Sequence, residues 1–453
     1  MAKLRVSTLS QSSLVRGGLV VGAGILAGNI VGFLRVGVTA WFLGTRAHAD
    51  ALAVAVGPVD TFTTAIINTL LVSFVPMLML RGSADRAAMF AKAARVYAGI
   101  LAAFSAFVLA LASPLVSLLG PGLAMEQHDQ AVVILRILAP AIFFAGSSAI
   151  YAALLYTERR FIIPAFYQAC VNGATIIAAM LLWNVIGIYG FAVGYTLGTA
   201  IQLILTWSAS RGLARSLKDL GGTVPGLSEI LVKPGMFLLY AALISANILV
   251  TRAFATHGGP GMAAAFDYCL RCISVVVAYL VYPIANSLVP EIAQLQSSNN
   301  SARAYRLIGR SVRLMAACAL GACGIGLLVR TQAIGILFQR GSFTQESTLL
   351  VSAVFLGFAP AIMGWSLMDL GSRCLFALGR PKLPVLAAIV PVSINIIVML
   401  AFGWPYSLRH PSMLAVGAST GLLAGFAALY ISLKMTKLAQ VLEPEPAEVV
   451  AAN

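Results

Sequence analysis

Charge is what this sequence has least of. Charged side chains make up 10% of its 453 residues, and there are only 15 Asp and Glu against 30 Lys and Arg. With 60% hydrophobic residues and a mean hydropathy of +0.93, a soluble fold would have too little polar surface to face water. The Gly-x-x-x-x-Gly-Lys-[Ser/Thr] phosphate loop is missing, which argues against ATP hydrolysis within the chain. The four histidines, His48, His128, His257 and His410, lie between apolar runs and make no metal-ligand spacing. All six cysteines (Cys170, Cys269, Cys272, Cys318, Cys323, Cys374) fall in apolar stretches, so a disulfide framework is not expected. Cys269-x-x-Cys272 has redox spacing but no thioredoxin-like context. No span or loop gathers the acid, histidine and serine that membrane-embedded hydrolysis or group transfer requires. Neither covalent chemistry nor a bound cofactor is therefore expected, and transport driven by membrane potential or a monovalent cation gradient remains.

What is present is long apolar runs. The first, from about Gly17 to Leu43, exceeds a hydrocarbon core of about 30 Å at roughly 1.5 Å per residue. It is also too long for a cleavable signal and lacks a small-residue cleavage site. Twelve spans are read in all, near 17–43, 50–78, 93–118, 131–156, 161–184, 187–209, 230–253, 262–292, 311–329, 347–376, 383–403 and 412–433. The basic residues test that count. If the N-terminus is cytoplasmic, 21 of the 30 Lys and Arg fall on the cytoplasmic side, five on the other (Arg46, Arg252, Arg330, Arg340, Arg409) and four within spans. A miscounted span would scramble this bias, which is the one the positive-inside rule requires. Both termini are expected in the cytoplasm. The net charge of +15 then belongs to membrane-facing loops that meet anionic lipid, and nucleic acid is not an expected partner.

The chain repeats itself. Phe74-Val75-Pro76-Met77-Leu78 ends the second span, and Leu288-Val289-Pro290-Glu291-Ile292 ends the eighth, 214 residues later. Leu155 to Arg159 followed by Pro164 is echoed by Ala377 to Arg380 followed by Pro384, and Asn29 falls in line with Asn247. The expected organisation is an N-terminal six-helix bundle over 1–210, a cytoplasmic linker over 211–229, a C-terminal six-helix bundle over 230–440 and a cytoplasmic tail over 441–453. Each half holds an even number of spans, so the repeat is parallel, with a pseudo-two-fold axis along the membrane normal and a substrate path between the halves.

Function must come from the few polar groups inside the spans. Gly24, Gly28 and Gly32 recur every fourth residue, and Arg35 and Thr39 continue that face, so Arg35 points to another helix or a cavity. Facing lipid, it would cost about 2.5 to 3.5 kcal/mol. No acid stands at helical spacing from it, so its counter-charge is either distant or brought by a ligand. Asp267 and Arg271 are four apart and can pair along one face, with Ser274 and Tyr282 extending the stripe. Asp369 and Arg373 repeat the device, either as a neutralised strut or as cavity groups. Asp60 in the second span and Arg136 in the fourth are further candidates. Pro58, Pro140, Pro283 and Pro360 interrupt helices and can act as kinks.

The stretch GFLRVGVTAWFLGTRAHADALAVA, Gly32 to Ala55, resembles the first-loop signature of MurJ/MviN-type lipid II flippases. SFVPML (Ser73 to Leu78), RRFIIPAF (Arg159 to Phe166), LVPEIAQ (Leu288 to Gln294) and LFQRGSFT (Leu337 to Thr344) support it in order along the chain. The family belongs to the multidrug/oligosaccharidyl-lipid/polysaccharide exporter superfamily, and the resemblance implies two six-helix bundles around a V-shaped central cavity. It also implies that Arg35 and Arg271 line that cavity and engage the pyrophosphate and sugar of a lipid-linked precursor, with Asn29 and Asp50 beside them. Arginine forks suit a bulky diphosphate. The sequence departs from the family at Asn29, where a second arginine is common, at Val36, where an acid usually follows, and at Thr61 to Thr64 and Asn68 in place of charged residues. The family carries two further C-terminal helices, whereas the twelfth span here is followed by the acidic Glu443-Pro444-Glu445-Pro446 stretch.

The resulting expectation is an all-α, multi-pass flippase of the bacterial cytoplasmic membrane. By alternating access it would move a polyprenyl-diphosphate-linked saccharide, lipid II or a relative, to the outer leaflet. Its expected partners are that lipid, membrane lipids and cell-envelope synthesis enzymes. Alternatives are an exopolysaccharide or O-antigen flippase, a multidrug cation antiporter and a transport-inactive scaffold for a polymerase. An antiporter would place its acid in a cavity not dominated by arginine, so the sign of the cavity's charge separates the readings.

Overall fold

The computed structural model describes residues 11–218, 226–298, 300–403 and 410–442. The long helices are α1 (Gln11–Leu43), α2 (Ala47–Met79), α3 (Ser83–Ala110), α5 (Met125–Thr157), α6 (Ile162–Ile186), α7 (Tyr189–Lys218), α8 (Leu227–Ala255), α9 (Met262–Ser297), α10 (Ser301–Phe338), α13 (Lys382–Val398) and α14 (Val416–Leu442), with the short α4 (Ala112–Leu119) after α3. Each of these long helices contains a stretch apolar enough to cross a membrane. The remaining span, tenth in chain order, is the pair α11 (Gln345–Phe358) and α12 (Pro360–Ala377), bent by 50° where Pro360 opens α12. Pro58, Pro140 and Pro283 lie inside α2, α5 and α9. The twelve expected spans thus correspond one to one with the structure. The bounds shift by several residues at many ends, most at the third span, which begins at Ser83 and ends at Ala110 before the separate α4, and at the ninth, which is the middle of a helix running from Ser301 to Phe338. Of the linker read over 211–229, the described residues are mostly helical, since α7 runs to Lys218 and α8 begins at Leu227, and 219–225 lie outside the described residues. The acidic stretch after Leu442 also lies outside them.

Helices α1 to α7 pack chiefly on one another and α8 to α14 on one another, while α2 reaches across to α8 and α9. The contacts inside each half are made by glycine stripes, because between lipid-immersed helices close backbone approach replaces the hydrophobic drive. On α1, Gly24 lies against Ala165 and Gly28 against Gln168 of α6, as the four-residue recurrence implies. On α14, Gly417, Gly421 and Gly425 lie against Asn395, Pro391 and Ala387 of α13. A buried asparagine ties the equivalent helices in each half, α6 to α1 and α13 to α8. Asn172 of α6 donates to the Gly28 carbonyl at 3.3 Å. Asn395 of α13 donates to the Asn247 carbonyl, the Asn247 amide oxygen and the Thr251 hydroxyl, each at 2.9 Å. The two halves therefore share a fastening as well as a helix order, and the molecule is a two-lobed helical membrane protein.

A Cβ at Gly421 would stand 2.4 Å from the Pro391 carbonyl oxygen. Gly421→Leu is expected to force α13 and α14 apart, lowering stability by about 1 to 3 kcal/mol. A thermal melt of the detergent-purified protein checks this, and an unchanged midpoint contradicts the packing described.

Candidate functional site

A cavity of about 450 Å³ lies between the halves, lined by α1, α2, α6, α7, α8, α9 and α12. Six charged residues face it: Arg35, Asp60, Arg252, Asp267, Arg271 and Asp369. Arg35 and Arg271, expected from opposite halves, do meet here. Their partners differ from expectation. Arg35 Nη2 donates to Asp60 Oδ2 at 3.0 Å, so its counter-charge is the distant acid rather than a ligand. Asp60 also accepts from the Tyr195 hydroxyl at 3.0 Å, and that hydroxyl meets Thr63 Oγ1 at 2.9 Å. Asp267 does not pair with Arg271. Its Oδ1 accepts from Nε and Nη2 of Arg252 at 2.9 and 2.7 Å, a two-pronged contact from the antiparallel α8 that a neighbour one turn along the same helix does not match here. Asp369 and Arg373 pair as read, at 3.0 Å, and Arg373 also sits over the Tyr282 ring.

Arg271 is therefore the odd one out. Among the described residues it has no carboxylate at ion-pair distance. It crosses to α1, donates to the Asn29 carbonyl at 3.3 Å, and its buried Nε has no partner. It can reach that far because Gly32 leaves the room: a Cβ there would stand 2.4 Å from Arg271 Nη2. Gly57 of α2 does the same for Arg252, with a Cβ position 2.3 Å from the guanidinium carbon. Arg373, which does not itself line the cavity, cancels Asp369, so three arginine–aspartate pairs cancel and one guanidinium is left over. The sign of the cavity is positive by that one charge, although arginine does not dominate the lining.

Asn29 contributes its backbone carbonyl to this arrangement and its side chain does not line the cavity. Arg136 is exposed on α5, away from the cavity. Asp50, expected at the substrate, has another place. It is 4% exposed and accepts from the backbone N–H groups of Gly261 (2.5 Å) and Ala264 (2.8 Å), capping the start of α9 from the other half. Around it the Tyr268 hydroxyl donates to the Gly44 carbonyl at 2.9 Å, Ser342 N donates to the Trp41 carbonyl at 2.8 Å, and Gly122 N donates to Thr256 Oγ1 at 2.9 Å. Gly261 makes this possible: its φ is +86° and a Cβ would stand 2.1 Å from the Thr45 carbonyl oxygen. The halves are thus sewn together on the face opposite the start of α1 and the end of α14, immediately beyond the cavity floor at Ala49 and Ala264.

Residue-by-residue reading of the sequence missed Arg252, Tyr195, Asn172 and Asn395. Arg252 was counted with the loop charges but is 2% exposed, and the apolar Ala-Phe-Ala that follows it was the available signal. Tyr195 carried none, since a tyrosine in an apolar helix is ordinary. Asn172 and Asn395 sit at similar places in the fifth and eleventh spans, so the repeat could have singled them out.

Comparison with known proteins places this architecture. A family profile described as "Lipid II flippase MurJ" matches residues 39–445. The chain belongs to the lipid II flippase MurJ family. It is 24% identical over 433 residues to a probable lipid II flippase MurJ of Rhizobium meliloti, covering 91% of this chain and 79% of that protein. It is 23% identical over 444 residues to one of Vibrio cholerae, covering 93% and 83%. Among solved structures it superimposes on "Lipid II flippase MurJ, inward closed conformation" with a TM-score of 0.78 at 18% identity, covering 92% of this chain and 87% of that one. An inward-facing MATE-family transporter gives 0.71 at 13% identity, covering 91% and 95%. At these identities the structures speak for the fold alone, and they share with this MurJ-family chain the two-lobed arrangement around a central cavity.

Each such hydrogen bond is worth about 0.5 to 1.5 kcal/mol, so Asp50→Ala is expected to loosen the sewn face. In a cysteine-free background carrying Ser274→Cys, labelling by an impermeant thiol reagent applied from that face should rise several-fold with Asp50→Ala. Equal labelling with and without the substitution contradicts the closure assigned to Asp50.

Proposed function

We propose that this MurJ-family chain moves a polyprenyl-diphosphate-linked saccharide of the lipid II type across the bacterial cytoplasmic membrane by alternating access. The observation that carries this reading is Arg271, a guanidinium without an acid partner, held beside the Arg35 pair in an amphipathic cavity between two lobes. An uncompensated cation in such surroundings is costly unless an anion completes it. A diphosphate is that anion: its oxygens accept the paired N–H donors of arginine, and two arginines from opposite lobes can share it. The family to which the chain belongs favours the same substrate class.

In this reading the face bearing the start of α1 and the end of α14 is cytoplasmic, in line with the basic bias of the loops on that side. The headgroup enters from there, because the opposite face is closed by the Asp50 cap and its neighbouring backbone contacts. Release requires those contacts to part while the cytoplasmic face closes. No bond is made or broken in the substrate. A cation antiporter fits the surplus positive charge poorly, since it would meet a like charge at Arg271.

Arg271→Ala and Arg35→Ala are each expected to abolish rescue of a strain depleted of its lipid II flippase, with normal amounts of protein in the membrane. Leaflet accessibility of the precursor should fall with them. Arg271→Lys, which keeps the charge but not the fork, should retain a minor part of the activity. Full rescue by both alanine variants would refute the proposal.

A further inference from the structure

The charges of the cavity do not balance once a diphosphate is bound, and the imbalance points to Asp60. In the empty cavity Arg35–Asp60, Arg252–Asp267 and Arg373–Asp369 cancel, and Arg271 leaves a surplus of one positive charge. A diphosphate joining a polyprenol to a sugar keeps one ionised oxygen on each phosphorus. Binding it against Arg271 and Arg35 therefore brings one negative charge too many. It also asks Arg35 to exchange a carboxylate for a phosphate.

Asp60 is the acid that this exchange strips. Of the three pairs, Arg35–Asp60 is held by a single N–H donor, whereas Asp267 and Asp369 are each held by two donors from their arginine. Asp267 and Asp369 can thus keep their partners while the headgroup engages Arg35. The groups that face Asp60 are Arg35 from α1, Tyr195 from α7, Thr63 on its own helix, and Arg271 and Asp267 from α9, with the Arg252 guanidinium one turn away against Gly57. When Arg35 turns to the phosphate, the Tyr195 hydroxyl is the remaining neutral donor. A carboxylate left so, next to a newly arrived anion inside the cavity, is the form that such surroundings disfavour.

We infer that Asp60 takes up one proton as the diphosphate draws Arg35 away from it, so that headgroup and proton occupy the cavity together. The proton comes from the water of the open face and sits on a carboxylate oxygen, from which it can be donated to the Tyr195 hydroxyl oxygen. The loaded cavity is then neutral, and the empty one carries the single charge of Arg271. This inference rests on the lipid-diphosphate reading and names the ion linked to it.

The test is calorimetric. Wild type and Asp60→Asn, each in nanodiscs, are titrated with a farnesyl-diphosphate-linked N-acetylglucosamine between pH 6.5 and 8, in paired buffers of different ionisation enthalpy. Over that range the ligand's own charge is constant. Wild type should take up about one proton per headgroup bound, and its affinity should fall about tenfold for each pH unit. Asp60→Asn should bind with no proton uptake and no pH dependence, and at pH 8 more tightly than wild type, because the amide holds Arg35 less firmly. Binding by wild type without proton uptake overturns the inference and leaves the substrate reading standing, as does the same uptake in Asp60→Asn. The first of these outcomes needs wild type alone, so it decides the matter even if the variant fails to fold. No binding by wild type removes the substrate reading and the inference with it.

Discussion

A charged side chain inside a bilayer must be cancelled or put to use, and this constraint organises the molecule. Four arginines and three aspartates lie in or beside the central cavity of a chain with only 15 acids in all. Each of these three aspartates is spent on one arginine, while Asp50 beyond the cavity floor caps α9. Arg35 with Asp60 binds α1 to α2, Arg252 with Asp267 binds α8 to α9, and Asp369 with Arg373 stiffens α12. The lobes are held in shape by these pairs, and what they leave uncancelled, Arg271, is where an anion can enter the balance. Small residues make the geometry accessible: a side chain at Gly32 or Gly57 would occupy the space of a guanidinium.

The two lobes use the same means to different ends. Both use glycine stripes between neighbouring helices and a buried asparagine that ties α6 to α1 or α13 to α8, and between them they leave a cavity. Asymmetry enters through the charges. The N-terminal lobe offers a pair that one donor holds, and the C-terminal lobe offers pairs that two donors hold together with the unpaired arginine. A headgroup spanning both would therefore rearrange the first lobe more than the second. On the closed face the link is backbone to carboxylate: Asp50 gathers the free N–H groups at the start of α9, a contact that must part if the cavity is to open there.

The fold was almost entirely legible in the sequence because hydropathy over a helix-long window measures the very property that a bilayer selects. The basic bias and the proline-bearing repeat then located twelve spans and two halves. Arg35 and Arg271 were legible for the same reason, as charges deep in apolar runs. Their partners were not, since pairing depends on which helices are neighbours, and a sequence shows only neighbours on one helix. The i, i+4 rule was right for Asp369 with Arg373 and wrong for Asp267, where Arg252 of the adjacent helix delivers two donors to one oxygen. Arg252 was misplaced because a charge near a span's end reads as a loop, and Asp50 was drawn to the substrate by its place in a motif although its work is to cap a helix. Tyr195 left no trace at all, because what distinguishes it is a hydroxyl aimed at Asp60 from another helix.

The central claim is that Arg271 and Arg35, from opposite lobes, together hold one anionic headgroup in the cavity. A cryo-EM structure of the protein in nanodiscs loaded with a polyprenyl-diphosphate saccharide tests it most directly. The account predicts diphosphate density within hydrogen-bond reach of both guanidinium groups, with Arg35 turned away from Asp60. Headgroup density elsewhere, with Arg35 still on Asp60 and Arg271 still on the Asn29 carbonyl, would contradict it.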